Sequence, residues 1–174
     1  MARLILIRWL ILPGIVLLFA VACEEEPVQP RALVNQAAPD FHLADLEGRP
    51  WKLCGLRGKV VMLSFWSPRC ETCREGLARL ETIHRRLRTS EQVYQLLSIL
   101  YEDEPEAAKQ LVRQAGITFP VLRDPGAKTA ARCGVYILPT GFITDPQGIL
   151  RKQRLGHQHW TEQELRDSLA RYQP

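Results

Sequence analysis

Residues 60–75 read Val60-Val61-Met62-Leu63-Ser64-Phe65-Trp66-Ser67-Pro68-Arg69-Cys70-Glu71-Thr72-Cys73-Arg74-Glu75, and this stretch decides the fold. An apolar run of strand length comes first, and a Ser-Pro break separates it from a Cys-x-x-Cys pair. Apolar residues then recur at helical spacing from 75 to 87. The pattern therefore predicts the two cysteines at the junction between a buried strand and the first turn of a helix.

This junction has a chemistry that suits a redox dithiol. Unpaired N–H groups and the positive end of the helix dipole stabilise an anion there. A thiol at that point loses its proton more easily, and the thiolate is the form that attacks a disulfide. A structural disulfide and half a zinc site are the alternatives, but zinc would need a second cysteine pair, and Cys54 and Cys133 are isolated. The pattern favours a redox pair, Cys70 and Cys73.

The length and composition of the chain predict one globular domain. A chain of 174 residues is long enough to bury a single core, and 24% charged residues is an ordinary fraction. The formal net charge of +4 partly reflects Arg3 and Arg8, which lie in a leader without acidic residues. Basic residues are not clustered with aromatic ones, so the sequence gives no indication of nucleic-acid binding.

The leader, residues 1–22, has the pattern of a signal peptide. Its apolar run from Trp9 to Ala22 is shorter than the roughly 20 residues of a membrane span. The sequence Ala-Val-Ala-Cys at 20–23 resembles the lipobox of bacterial lipoproteins, which predicts lipidation of Cys23 and a membrane anchor. An uncleaved N-terminal anchor and plain secretion are the alternatives. All three place the domain outside the cytoplasm, where disulfides persist.

The remaining chain divides into a tether and a domain. Residues 23–38, with three consecutive glutamates and two prolines, are predicted as the lipidated N-terminus and a flexible tether, and residues 39–174 as the domain. The patterns predict a hairpin over 40–53, strands over 60–65, 93–100 and 119–122, a second hairpin over 136–155, and helices over 75–87, 105–116, 127–133 and 161–172. This order predicts an α/β sandwich with helices on both faces of a mixed sheet.

Three segments carry a resemblance to a known family. Residues 65–74, Phe-Trp-Ser-Pro-Arg-Cys-Glu-Thr-Cys-Arg, align with a core of Phe-Trp-Ala-x-Trp-Cys-x-x-Cys-Arg, and residues 118–124 and 134–140 match later landmarks. Over residues 37–172 the chain resembles the exported, membrane-anchored thiol:disulfide oxidoreductases of the TlpA/ResA/DsbE type, within the redoxin family. The resemblance implies a thioredoxin-like three-layer α/β/α sandwich with a mixed central sheet and an N-terminal β-hairpin.

The resemblance also implies a site and its partners. Cys70 is expected to be the attacking nucleophile and Cys73 the resolving thiol of a redox-active Cys70–Cys73 disulfide. Trp66, Leu138 and Pro139 are expected to contact substrate, with Pro139 in the cis form and packed against the dithiol. The expected partners are protein thiols and disulfides and a transmembrane electron donor of the DsbD/CcdA kind. No cofactor and no metal are expected.

The sequence departs from the family pattern beside the dithiol. Arg69 stands where Trp is usual, and Gly76 and Ala78 replace a Glu and a Pro that usually follow the second cysteine. The missing Glu is thought to manage the proton of the buried thiol. Glu75 is a weak substitute, because it lies about 100° round the helix.

Charged and polar side chains around the cysteines are expected to tune the dithiol. Arginines should stabilise the thiolate, and an acid between the cysteines should oppose it. The tuning residues predicted are Arg69, Glu71, Thr72 and Glu75, with Arg74 as a further cation.

Four other residues have more than one interpretation. Cys54 and Cys133 are either small core residues or, in an oxidising compartment, a second disulfide that would stiffen the loop before Pro139. His157 and His159 form a His-x-His pattern, which is more often surface than a metal site when no other ligands accompany it.

The function expected is reduction of disulfides in exported proteins, for example in cytochrome c maturation or metal-site assembly. One alternative is a thiol peroxidase, whose Pro-x-x-x-Thr-x-x-Cys motif matches Pro68 and Thr72 but finds Glu75 at the cysteine position. The other is a non-enzymatic copper-binding module that would use Cys70, Cys73 and a histidine.

Overall fold

The computed structural model describes residues 34–88, 94–101 and 104–172, so the signal peptide and Cys23 lie outside the described residues. The strands are β1 (His42–Ala44), β2 (Pro50–Lys52), β3 (Val60–Trp66), β4 (Tyr94–Leu100), β5 (Val121–Arg123), β6 (Thr140–Thr144) and β7 (Leu150–Leu155). The α-helices are α1 (Glu71–Leu87), α2 (Pro105–Ala115), α3 (Lys128–Arg132) and α4 (Glu162–Tyr172), and 3-10 turns cover Cys54–Leu56 and Pro125–Ala127.

The central sheet is mixed, as the sequence predicts. Its strand order is β5-β4-β3-β6-β7, with β3, β4 and β5 parallel and β6 and β7 antiparallel to their neighbours. Strands β1 and β2 form the predicted N-terminal hairpin, and a bridge between Asp45 and Leu122 connects it to β5. This topology places the carboxyl end of β3 beside the start of β6, where Phe65 lies opposite Thr140.

Strand β3 is the centre of the molecule because it supplies both hydrophobic cores. All seven of its residues are buried, which is typical of a strand covered on both faces. Val60, Met62 and Trp66 enter the core formed with α1, α2 and α4. The alternate residues, such as Leu63 and Phe65, enter a second core with the hairpin and α3. The result is the three-layer α/β/α sandwich that the resemblance implies.

Helix α1 begins at the cysteines and buries one face. Four of its residues follow helical spacing and are all buried: Leu77, Leu80, Ile83 and Leu87.

The capping box predicted for α4 is present. Thr161 Oγ1 accepts the N–H of Glu164 at 3.2 Å, and the Glu164 carboxylate accepts the N–H of Thr161 at 3.0 Å. Helix α4 therefore begins within one residue of its predicted start, whereas α1 begins at Glu71, four residues before the predicted range of 75–87.

A buried carboxylate ties α1 to the loop after α2. Glu81 accepts hydrogen bonds from the N–H of Thr118 at 2.8 Å, the hydroxyl of Thr118 at 2.9 Å and Nε of Arg85 at 2.6 Å. Burial alone would raise the pKa of Glu81, but the hydrogen bonds from Thr118 and Arg85 outweigh it and hold the pKa below its ordinary value. Glu81 is therefore charged and fully engaged in the folded protein.

The folded domain begins earlier than residue 39. The N–H of Asn35 donates to the carbonyl of Leu150 at 2.7 Å, and the N–H of Ala38 donates to the carbonyl of Gly148 at 3.0 Å. Ala37 also forms an isolated bridge with Ile149. Residues 35–38, which the sequence analysis assigns to the tether, are therefore attached to the start of β7. No helix in residues 34–88, 94–101 and 104–172 is long and apolar enough to cross a membrane.

Candidate active site

Cys70 and Cys73 are joined by a disulfide at the start of α1. Cys70 is the N-cap residue, and its Sγ accepts the backbone N–H of Cys73 at 3.2 Å. The hydroxyl of Thr72 lies 3.4 Å from the same sulfur. On reduction, a thiolate at Cys70 would therefore receive a backbone N–H and the helix dipole, both of which stabilise negative charge.

The two sulfurs differ in their access to solvent. Cys70 is partly exposed at the helix terminus, whereas Cys73 is only 1% exposed and belongs to the core beneath α1. A substrate from solution can reach Cys70 but not Cys73. The disulfide can accept two electrons from an external dithiol, and the reduced pair can return them to an external disulfide.

The loop before β6 lies against the dithiol. The Leu138–Pro139 peptide bond is cis, as the resemblance implies, and Pro139 lines a small cavity together with Cys73. The Pro139 carbonyl accepts the N–H of Gly156 at 2.7 Å. No hydrogen bond from the described residues reaches the backbone N–H or carbonyl of Leu138, which leaves these groups open to another chain.

The arginines beside the cysteines are engaged by neighbouring groups. Arg69 forms an ion pair with Glu104, which directly precedes α2. Arg74 donates to the carbonyl of Pro68 at 3.0 Å and so braces the loop in front of the disulfide. Both cations stay within the active-site segment, where their charge opposes protonation of a thiolate.

The other predicted tuning residues are unequal in their contacts. Only Thr72 reaches a sulfur, as described above. Glu71 and Glu75 are exposed, and neither makes a hydrogen bond to a cysteine in the part of the chain that the structure describes. Glu75 is not among the residues that line the cavity beside Cys73, so it is not a substitute for a carboxylate there.

Trp66 does not agree with the prediction of a substrate contact. Its side chain is 0% exposed and lies in the core behind Cys73, so a substrate at the surface cannot contact it. Its indole Nε1 is buried and has no hydrogen-bond partner among the described residues. Alternation along β3 explains the discrepancy, because Trp66 shares the helix-facing side with Met62.

Sequence reasoning missed the role of the segment after β7. His159 and Trp160 line the cavity that also holds Cys73, Gly76 and Pro139. His159 therefore lies beside the buried half of the dithiol and not on an isolated surface. The one sequence signal was a glycine at 76, a buried helical position, which leaves space for a side chain from elsewhere.

The leftover cysteines do not form a disulfide with each other. Cys133 is a free thiol with 2% exposure, and burial raises its pKa to about 12. It occupies the core next to α3, as a small apolar residue would. Within residues 34–88, 94–101 and 104–172, no group of three or more His, Cys, Asp or Glu side chains is arranged to hold a metal ion.

The fold and the dithiol together define a thioredoxin-like thiol–disulfide oxidoreductase. Comparisons with known proteins agree with this class. The AhpC/TSA family model matches residues 34–153, and the chain belongs to this family. The resemblance to ResA and DsbE seen in the sequence is thereby confirmed, as the following relatives show.

Two relatives and one solved structure illustrate the similarity. The chain is 31% identical over 141 residues to thiol-disulfide oxidoreductase ResA of Bacillus thuringiensis, covering 81% of this chain and 79% of ResA. It is 35% identical over 150 residues to thiol:disulfide interchange protein DsbE of Allochromatium vinosum, covering 83% of this chain and 80% of that DsbE. The crystal structure of a Chlorobium tepidum protein assigned as DsbE is similar to this one, with a TM-score of 0.72 and 25% sequence identity. The similarity covers 81% of this chain and 98% of that chain.

Proposed function

We propose that this protein is an exported, membrane-anchored thiol–disulfide oxidoreductase that reduces disulfides of exported proteins through Cys70 and Cys73. The observation that carries the proposal is the asymmetry of the disulfide, with an accessible Cys70 at the helix N-terminus and a buried Cys73. This asymmetry supports different tasks for the two sulfurs. Cys70 is the nucleophile, and Cys73 is the resolving thiol.

The reaction runs in two exchanges. The Cys70 thiolate attacks a substrate disulfide, which forms a mixed disulfide and releases one substrate thiolate. Cys73, as a thiolate, then attacks Sγ of Cys70, which releases the second substrate thiolate and closes the Cys70–Cys73 bond. The substrate gains two electrons and two protons, and the protein loses them. A transmembrane dithiol donor of the DsbD/CcdA kind returns the protein to its reduced form.

Substrate binding is assigned to the cis-proline loop. Leu138 has backbone groups without partners in the described chain, and Tyr136 and Ile137 before it are 65% and 44% exposed. An extended substrate segment can bond to the backbone of Leu138 in the manner of an added strand. The neighbouring apolar side chains then contact residues on either side of the substrate cysteine.

The cellular setting follows from the N-terminal sequence. The leader with its lipobox-like end at Cys23 supports export and a lipid anchor. Membrane-anchored members of the family usually act reductively, which supports clients of the cytochrome c maturation or metal-site assembly type. Palmitate labelling of the wild-type protein and of Cys23→Ala tests the anchor, and equal labelling of the two would refute lipidation at this residue.

Insulin reduction tests the reaction. We expect turnover by the wild-type protein, no turnover by Cys70→Ser, and accumulation of a mixed disulfide with Cys73→Ser. Cys133→Ser is the matched control, because that thiol is buried outside the site, and it should keep wild-type activity. Turnover by Cys70→Ser would refute the assignment of the nucleophile.

The reduction potential of the Cys70–Cys73 pair tests whether the protein reduces or oxidises its substrates. A reductase should have a potential near the value of about −270 mV for thioredoxin, whereas about −120 mV is typical of the oxidant DsbA. A value near the latter would overturn the reductive direction. Peroxide consumption without insulin turnover would instead favour the thiol peroxidase, and stoichiometric Cu(I) retention without turnover would favour the copper-binding module.

A further inference from the structure

Gly76 leaves a space on α1 that the ring of His159 occupies. Gly76 is buried and lies one turn after Cys73 on the same helix. A Cβ atom at position 76 would lie 3.3 Å from Nδ1 and 3.4 Å from Cε1 of His159. The imidazole therefore occupies the volume into which a longer side chain at 76 would extend.

His159 and Cys73 line the same small cavity. The cavity has a volume of about 30 Å³, which is enough for a water molecule, and Trp66 and Pro139 complete its inner wall. The buried Nε1 of Trp66 has no partner among the described residues, so this wall offers an unsatisfied donor. The ring of His159 likewise makes no side-chain hydrogen bond within the described chain. The imidazole of His159 and the buried Cys73 thus line one cavity that has room for a water molecule.

We propose that His159 accepts the proton of the Cys73 thiol during the second exchange, through a water in this cavity. The proposal rests on the roles of Cys70 and Cys73 given above. The Cys73 S–H bond breaks and its proton passes to the imidazole, and the sulfur's electron pair forms the bond to Sγ of Cys70. The bond between Cys70 and the substrate sulfur breaks, and the substrate leaves as a thiolate. The imidazolium then releases its proton to that thiolate or to solvent.

Imidazole is suited to this step because a ring nitrogen can accept a proton and release it again. The buried thiol needs such help, since no carboxylate of the described residues lines the cavity beside it. His159 enters the site from the segment between β7 and α4.

Several charged and polar groups face the same cavity and bear on its pH dependence. From α1 these are Arg79 and the thiol of Cys73, and from β7 the group is Arg154. Arg154 is ion-paired with Glu164 of α4, and its guanidinium lies 5.5 Å from the centre of the Trp160 ring. The groups beside His159 in its own segment are His157 and Gln158.

The second exchange can be measured alone with Ellman's reagent, 5,5′-dithiobis(2-nitrobenzoate). Reduced full-length protein releases one nitrothiobenzoate when Cys70 attacks and a second when Cys73 displaces the mixed disulfide. The second release is independent of reagent concentration, and Cys73→Ser should lack it. Because nitrothiobenzoate leaves as a stable thiolate, the step needs only a proton acceptor for Cys73. Stopped-flow absorbance from pH 6 to 10 gives both rates.

We expect His159→Gln to slow the second release about 10²-fold near pH 7, the lower end of general acid–base effects. The deficit should shrink as pH rises toward 10, because hydroxide then competes with the imidazole as the acceptor of the Cys73 proton. The first release should change less than about twofold. His157→Gln is the matched control, because His157 is an exposed histidine two residues away and lies outside the cavity lining.

A double variant separates proton transfer from packing. In Gly76→Glu/His159→Ala a carboxylate enters the space that the ring leaves, and it should restore at least about tenfold of the lost rate near pH 7. A second release in His159→Gln that equals that of His157→Gln, or is slowed equally at every pH, would overturn the role of His159. Failure of the double variant to exceed His159→Ala would do the same. Absence of a second release in the wild-type protein would instead overturn the roles of Cys70 and Cys73.

Discussion

The carboxylate of Glu81 offers a sharp test of how α1 is held in place. Replacing it by glutamine keeps the shape of the side chain but removes its charge and turns one acceptor oxygen into a donor. In the wild-type protein both oxygens accept hydrogen bonds, two from Thr118 and one from Arg85. The amide of Glu81→Gln must therefore present an N–H group to at least one donor.

The loss of stability expected for Glu81→Gln follows from the burial of its three hydrogen bonds. Glu81 itself is 4% exposed, so water cannot readily replace a lost partner. Hydrogen bonds to a charged group contribute about 1.5–3 kcal/mol each, and neutral ones about 1 kcal/mol. The Arg85 side chain is 59% exposed, which limits its share to less than about 1 kcal/mol. We expect Glu81→Gln to lower the free energy of unfolding by about 2 kcal/mol and Tm by roughly 6–10 °C.

Urea titration and thermal melts followed by circular dichroism measure this loss. Glu106→Gln is the matched control, because Glu106 also pairs with a cation on the same helix turn, at 2.8 Å from Lys109, but its side chain is 82% exposed. An exposed pair of this kind contributes little to stability, because water screens it, so Glu106→Gln should leave the urea midpoint nearly unchanged. Equal destabilisation by the two variants would refute the reasoning, as would a loss below 0.5 kcal/mol for Glu81→Gln.

The difference in stability between the wild-type protein and Glu81→Gln has a predicted pH dependence. The pKa of Glu81 is lower in the folded protein than its ordinary value, so its contribution to stability is fully present above the unfolded pKa of about 4.3 and is lost as pH falls through the folded pKa. The difference in unfolding free energy between wild type and Glu81→Gln should stay constant from pH 7 to about 5. It should shrink below about pH 4. A constant difference down to pH 2 would contradict the role of the charge.

Three further predictions concern residues outside the dithiol. In Gly141→Ala the new Cβ would lie 3.1 Å from Cε2 of the buried Trp160. We expect the free energy of unfolding in urea to fall by about 2–3 kcal/mol and the tryptophan fluorescence to change. An unchanged stability and an unchanged spectrum would contradict this. Cys133, with a pKa of about 12 and 2% exposure, should resist iodoacetamide at pH 8 until urea unfolds the protein, and rapid native labelling would be inconsistent with this. Asp124→Ala removes the acceptor of the Thr129 and Ala130 N–H groups and should cost about 1–2 kcal/mol in urea, with Asp124→Asn recovering part of it if the loss is one of capping.

The parts of the structure that local signals specify were predictable from the sequence. The apolar run of β3 and the helical period after the cysteines locate the dithiol, because both depend on neighbouring residues. Helix α2 likewise ends where Gly116 adopts a left-handed conformation with φ of 62°. Local signals of this kind place most helix boundaries within a few positions.

Contacts between distant segments were not predictable in the same way. The approach of His159 to Gly76 depends on how the segment after β7 crosses α1, and no local pattern encodes that crossing. The attachment of residues 35–38 to the start of β7 is also long-range, and the short sequence Asn-Gln-Ala-Ala gave no local sign of it. The burial of Trp66 was accessible in principle, since the period of two along β3 assigns it to the same side as Met62.

The attachment of residues 35–38 has a consequence for how the domain is presented to its partners. These residues bond to positions 148–150, beside the turn that follows β6, whereas the cis-proline and the dithiol lie at the other end of that strand. Five residues of β6 separate the two ends by about 17 Å at 3.3–3.4 Å per residue. An attachment at the N-terminus would therefore hold the domain at the end of β6 that is opposite to Cys70. Under the proposed lipid anchor at Cys23, a partner embedded in the membrane would meet Cys70 only if the domain turned over, so the length of chain before residue 35 would limit the partners within reach.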